Sequence, residues 1–318
     1  MHWRKPHPWL AVVLTLTLTS TLSMAQVPKE KAKAQQRIPD GVKVERDIEY
    51  ARAGDKALLL DVYRPESSGE ALPLVIWIHG GGWSGGDKAN NVALPLSGRG
   101  YVVASVNYRL TGVAPFPAQI EDCRAAIRFL RANAAKYGID PKHVGVWGGS
   151  AGGHLVALLG TAGDMTKWDS VGGHPDQSAR VQAVCDYYGP ANFDVEKMPG
   201  GSKGADSAVG KLLGGPVDER KDEARAASPV TYITADDPPF LIFHGEDDPT
   251  VSIEQSELLE SALKKAGVQA TFVRVKNAGH GFRAGSDPSP EQIRERVVAF
   301  FDKHLKGKSG SAADASGR

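Results

Sequence analysis

The sequence predicts an α/β fold: a mostly parallel central sheet flanked by helices, with a small lid or loop insertion. Two patterns carry this expectation. Short continuous apolar runs recur along the chain, as strands buried on both faces require. Between them lie longer stretches whose apolar residues step by three and four, the period of a helix with one buried face. Their alternation implies strands joined by helical crossovers, and therefore parallel pairing.

The strands can be read in order. Residues 42–50 and 58–64 look like two antiparallel opening strands. The run LVIWIH at 74–79 is the first that is apolar throughout, and 102–106, 144–147, 181–185 and 240–243 repeat its signal. Residues 271–275 alternate instead, as suits a less buried strand. The first long helix carries Ile120, Cys123, Ile127, Leu130, Ala134 and Tyr137 on one stripe, with Pro117 at its start and Gly138 and Pro141 at its stop. Ser252 and Gln255 have capping-box spacing at the head of a helix bearing Leu258, Leu259, Ala262, Leu263 and Ala266. Ser289-Pro290-Glu291-Gln292 opens the last helix, whose stripe is Ile293, Val297, Phe301 and Leu305. Residues 190–229 break the rhythm. They read as a loop with one short helix near 211–213, and loops of this length often serve as lids.

The 318 residues suit one α/β domain over 41–306, large enough to bury its own core. Residues 1–25 read as a signal peptide: Arg4 and Lys5, an uncharged run at 9–22, then the small-x-small site Ser23-Met24-Ala25. That predicts export to the periplasm or beyond. No later run is apolar and long enough for stable membrane insertion. Residues 26–40 and 307–318 are polar and are expected to be a flexible lead-in and a disordered tail. A net charge of +1 with mixed signs argues against a nucleic-acid partner. An exported protein could pair Cys123 with Cys185, but they fall in a predicted helix and strand, where free cysteine packs as a small hydrophobe, and that reading is preferred. Neither neighbours a second Cys or a His at ligand spacing, so no metal and no other cofactor is expected.

The chemistry concentrates in three places. Gly148-Gly149-Ser150-Ala151-Gly152 lies between a predicted strand and the helical run 154–159. Glycines on both sides of a serine allow a sharp strained turn that lifts the hydroxyl above the sheet. A serine hydroxyl needs a base, and the base an orienting acid. His280 follows the last predicted strand and precedes the last helix, which would put it at the carboxyl edge of the sheet. The other histidines read as surface residues, apart from His79 as a loop buttress and His154 on a helix face. The acid is expected after the penultimate strand, where Glu246, Asp247 and Asp248 are all available. Asp248 is preferred because Pro249 and Val251 can turn its loop toward the histidine; Asp247 is the alternative. His79-Gly80-Gly81-Gly82-Trp83 directly follows the first buried strand. The N–H groups of Gly81 and Gly82, with that of Ala151, would form an oxyanion hole. Trp83 is expected to overhang the cleft as a substrate-binding residue or a pocket wall.

The segments HGGGW, GGDK, VNYRL, EDCRAAIRFLRANAAKYGIDP, VWGGSAGGHL, KLLGGP…ASPVTYI and HGEDD resemble the bacterial feruloyl esterase-type (BD-FAE-like) branch of the α/β hydrolases, related to the hormone-sensitive-lipase-like esterases. The resemblance covers roughly residues 44–305. It implies an esterase or lipase acting on small-molecule or cell-wall esters without a metal, with Ser150, Asp248 and His280 as its triad. Two alternatives share the fold. One is a prolyl-oligopeptidase-like serine peptidase, whose serine is often followed by tyrosine where this chain has Ala151. The other is a non-catalytic binding protein.

Overall fold

The computed structural model describes residues 1–3, 36–66, 69–194 and 203–307. The expected signal peptide, most of the lead-in and nearly all of the tail lie outside them. Eight strands form one sheet in the order β1-β2-β4-β3-β5-β6-β7-β8. They are β1 Val42–Ala53, β2 Lys56–Pro65, β3 Leu72–Ile78, β4 Val102–Val106, β5 Ile139–Gly149, β6 Ala183–Tyr187, β7 Phe240–Gly245 and β8 Ala270–Val275. β1 pairs with β2 and β2 with β4 antiparallel; every later pairing is parallel. Each predicted strand is present. β6 sits two residues later than the apolar run alone suggested, because its register is set by pairing Gly145 with Ala183.

The helices are α1 Ala118–Ala132, α2 Ala134–Tyr137, α3 Ala151–Thr161, α4 Ala208–Leu213, α5 Lys221–Ala227, α6 Glu254–Lys265 and α7 Pro290–Leu305. The first predicted helix is broken at Asn133, whose side-chain amide bonds back to the Phe129 carbonyl. The stripe continues across the break because α2 is only a short turn. α7 starts with the expected capping box between Ser289 and Gln292. α6 does not: the Ser252 Oγ accepts the N–H of Glu254 at 3.4 Å rather than that of Gln255, and the side-chain amide oxygen of Gln255 instead accepts N–H bonds from Ala191 and Asn192. The spacing was right, but a buried pair of backbone donors more than sixty residues away claimed the acceptor. Residues 203–229 hold more helix than expected, since α4, α5 and two 3₁₀ turns replace the single helix foreseen.

Alternation along the strands sorts the core onto two faces. Leu74, Ile76 and Ile78 point to the side covered by α1, α3 and α6, and Val75 and Trp77 to the side covered by α7. Cys123 and Cys185 are buried free thiols, one on each face. α3 is buried along its whole length, which its apolar sequence AGGHLVALLGT permits on every side. The chain runs from β3 outward to β4 and then back across to β5. The carboxyl ends of β3 and β5 are therefore neighbours at a topological switch point, where open α/β sheets have a crevice.

Candidate active site

Two loops meet at that crevice. Ile78 pairs with Gly148, so the loop after β3 and the turn after β5 leave the sheet side by side. Ser150 occupies the turn at φ 57° and ψ −121°. This strained conformation persists because the turn is held from both sides. The Ser150 N–H donates to the Tyr187 carbonyl, and its own carbonyl accepts the first bond of α3 from the His154 N–H. Glycine is obligatory two residues later: a Cβ on Gly152 would lie 2.0 Å from the Ile78 oxygen and 2.7 Å from that of His79. Without it α3 could not approach β3 closely enough to seat the turn.

His280 lies in the loop after β8, and Asp248 in the loop after β7. The His280 Nε2 is 2.9 Å from the Ser150 Oγ, and its Nδ1 is 2.8 Å from the Asp248 Oδ2. Glu246 and Asp247 are exposed and make no such contact. The other carboxylate oxygen of Asp248, Oδ1, accepts the N–H groups of Thr250 at 2.8 Å and Val251 at 3.0 Å. Burial by itself would raise the Asp248 pKa. The nearby His244 imidazole, with hydrogen bonds from His280 and these two amides, outweighs it and holds the group far below the ordinary carboxylate range. The carboxylate is thus kept ionised. It fixes a proton on His280 Nδ1 and leaves Nε2 as the acceptor for the serine proton.

The glycine loop lies against the serine. A Cβ on Gly80 would come 2.7 Å from the Gly149 oxygen and 3.3 Å from the Ser150 Cβ. The loop turns back through bonds from Ser84 and Gly85 N–H to the Gly81 carbonyl. Among the described residues, the amides of Gly81, Gly82 and Ala151 donate to no protein acceptor. Unspent N–H groups beside a serine hydroxyl can receive an oxyanion at little reorganisation cost. His79 buttresses the loop: its Nδ1–H donates to the Gly80 carbonyl, and its ring stacks on Tyr108 at 4.4 Å. Burial pushes its pKa down, which keeps it neutral.

Trp83 is a correction. It does not overhang the cleft but is 3% exposed, packed edge-on to His154 and Phe193. Its indole N–H donates to His154 Nδ1 at 3.1 Å, and the His154 Nε2–H donates to the Ala227 carbonyl at 2.7 Å. Burial lowers the His154 pKa to about 4, so the ring stays neutral and can bridge both partners. An indole has one polar atom, and a buried acceptor drew it inward. His154 therefore links the glycine loop, α3 and the 203–229 segment. The expectation of the remaining histidines on the surface fails for His244, which is fully buried.

Two neighbours were not foreseen. Tyr188, just beyond β6, lays its ring 4.6 Å from that of His280; burial, then Asp248 and Asp186, push its pKa up to about 12. His244 contacts Asp248 directly. A polar residue inside the apolar run Phe240–Gly245 was the available signal, since buried polar groups need partners. Among the described residues no group of three or more side chains could hold a metal ion, and no helix is long and apolar enough to cross a membrane.

A sequence model of the BD-FAE family matches residues 60–263. The chain belongs to that family, and its fold is that of the α/β hydrolases. It is 30% identical to the esterase LipQ of Mycobacterium tuberculosis over 287 residues, which are 85% of this chain and 66% of LipQ. The esterase LipC of the same organism is 33% identical over 72% of this chain and 58% of its own length. The chain thus spans less than two thirds of these curated relatives. Among solved structures, a truncated carbohydrate esterase from gut microbiota superposes with a TM-score of 0.75 at 31% identity, over 83% of this chain and 96% of that one.

Proposed function

We propose that this protein is an exported serine carboxylic ester hydrolase in which Ser150 is the nucleophile, His280 the general base and acid, and Asp248 the orienting acid. The carrying observation is the unbroken chain Asp248–His280–Ser150 at 2.8 and 2.9 Å, opening onto unspent amides of the glycine loop. His280 takes the hydroxyl proton as Ser150 attacks the ester carbonyl. The amides of Gly81, Gly82 and Ala151 receive the developing oxyanion. The alcohol leaves with the proton from His280, and water repeats the sequence to release the acid. The family membership and the carbohydrate esterase neighbour favour short acyl or aryl esters, such as acetyl or feruloyl groups on sugars, over long-chain lipids. The 1–25 segment supports export.

The test is fluorophosphonate labelling followed by peptide mass mapping, beside an ester panel of acetyl, butyryl, long-chain acyl and feruloyl substrates. We expect one adduct, on Ser150, and a loss of about 10⁴–10⁶ in turnover for Ser150→Ala with folding intact. Absence of an adduct on folded protein would favour a binding role. Cleavage of a proline amide in preference to every ester would favour a peptidase.

A further inference from the structure

The geometry points to His244, locked by Ser256, as a positioning residue that holds the Asp248 carboxylate in register for His280. This rests on the Ser150–His280–Asp248 reading above. His244 is fully buried near the end of β7, four residues before Asp248, whose carboxylate is equally buried. Its Nδ1 is 2.7 Å from the Ser256 Oγ on α6. Its Nε2 faces two acceptors, the Val251 carbonyl at 2.9 Å and Asp248 Oδ2 at 3.3 Å.

These contacts fix the proton on Nε2. Val251 O and a carboxylate oxygen can only accept, so Nε2 must carry a proton. Nδ1 meets the Ser256 hydroxyl, so both ring nitrogens are engaged and the ring is fixed in its plane. Oδ2 of Asp248 is thus flanked by two imidazoles: it accepts the His280 Nδ1–H at 2.8 Å and lies 3.3 Å from the Nε2 of His244, whose hydrogen bond goes to the Val251 carbonyl, while Oδ1 receives two backbone amides. The carboxylate is held at both oxygens and cannot rotate about its Cβ–Cγ bond without breaking contacts on each side. The titratable groups facing this cluster are Asp186 from β6, Tyr188 just beyond it, and Asp248 and His280 themselves. α6 contributes the uncharged Ser256.

The His244 N–H dipole beside Oδ2 should do two things. It fixes the direction of Oδ2, which sets the orientation of the His280 ring. It also drains basicity from the carboxylate, which limits how strongly Asp248 favours the protonated form of His280. Removing the donor should therefore slow turnover and move the acid limb of the pH profile upward. Mere loosening of the loop would weaken the Asp248–His280 bond and move that limb downward or not at all.

The experiment is kcat, KM and the pH profile of kcat/KM for p-nitrophenyl acetate hydrolysis by wild type, His244→Phe, His244→Gln and Ser256→Ala. Glutamine can place an amide N–H near the lost Nε2–H; phenylalanine keeps the volume without a donor. We expect His244→Phe to lose about 10–100-fold in kcat with KM within about twofold, and its acid-limb midpoint to rise by about 0.5–1 pH unit. His244→Gln should recover most of the rate and the wild-type midpoint. Ser256→Ala should lie between, with the same direction of shift. A rate loss without an upward shift, a glutamine variant no better than phenylalanine, or a wild-type profile for Ser256→Ala would each overturn the assignment. If His244→Phe does not fold, the glutamine and Ser256 variants decide. An active wild type silenced by Ser150→Ala keeps the ester-hydrolase reading standing whichever way they fall.

Discussion

Replacing Asp248 by asparagine isolates what the carboxylate does for the imidazole. The surroundings dictate how the new amide must sit. The Oδ1 position faces the N–H groups of Thr250 and Val251, so the amide oxygen has to occupy it. The amide NH₂ is then forced into the Oδ2 position, 2.8 Å from His280 Nδ1. Nδ1 can only accept there, so the ring proton moves to Nε2, 2.9 Å from Ser150 Oγ. A protonated Nε2 cannot take the serine proton. Forcing this tautomer in a Ser-His-Asp triad costs about 10⁴ in turnover, or about 5.5 kcal/mol of transition-state stabilisation. The assay is steady-state hydrolysis of p-nitrophenyl acetate by Asp248→Asn, with far-ultraviolet circular dichroism to confirm folding. A folded variant that loses less than about tenfold would refute the tautomer argument and the role of Asp248 with it.

Other expectations follow from buried groups. Asp186 is fully buried with Oδ1 bonded to the Gly189 N–H and Oδ2 without a partner among the described residues; burial raises its pKa to about 6. The folded state then holds more protons than the unfolded one between roughly pH 4 and 6, and stability falls as pH rises through that window. Asp186→Asn should therefore melt several degrees above wild type at pH 8 and level with it at pH 4, by calorimetry; identical curves at pH 8 would refute this. Trp83→Phe strips the donor from buried His154 and should cost about 1–3 kcal/mol in denaturant unfolding while KM stays within about twofold. A tenfold rise in KM at unchanged stability would return Trp83 to the substrate. Gly152→Ala must push α3 away from β3 on the order of 1 Å, so we expect more than about 100-fold loss of activity together with destabilisation. Wild-type kinetics would show that the turn has slack.

Much of this was legible locally. Strand and helix periods, the capping box at Ser289 and the glycines around Ser150 are properties of neighbouring residues. A buried strand must be apolar and a strained turn must be free of side chains, wherever they end up in the fold. The candidate serine, base and acid could be read for the same reason: each follows a strand whose carboxyl end faces the crevice. Asp247 and Asp248 are not separated by any local pattern, because adjacent residues in a loop differ only in which way they point; the tertiary fold turns Asp248 to His280 and Asp247 to solvent.

By itself, then, the amino-acid order determined the α/β alternation, the position of the serine turn and the loops that could answer it. Only the tertiary structure decided who claimed the remaining polar atoms. Trp83 turned inward because His154 offered a buried acceptor, Gln255 left its helix cap for the amides of Ala191 and Asn192, and His244 came to rest on Asp248. The physical reason is the same in each case. A buried donor or acceptor is costly until it is paired, and the partner that satisfies it lies at a distance along the chain, or in a direction across a loop, that no local period encodes.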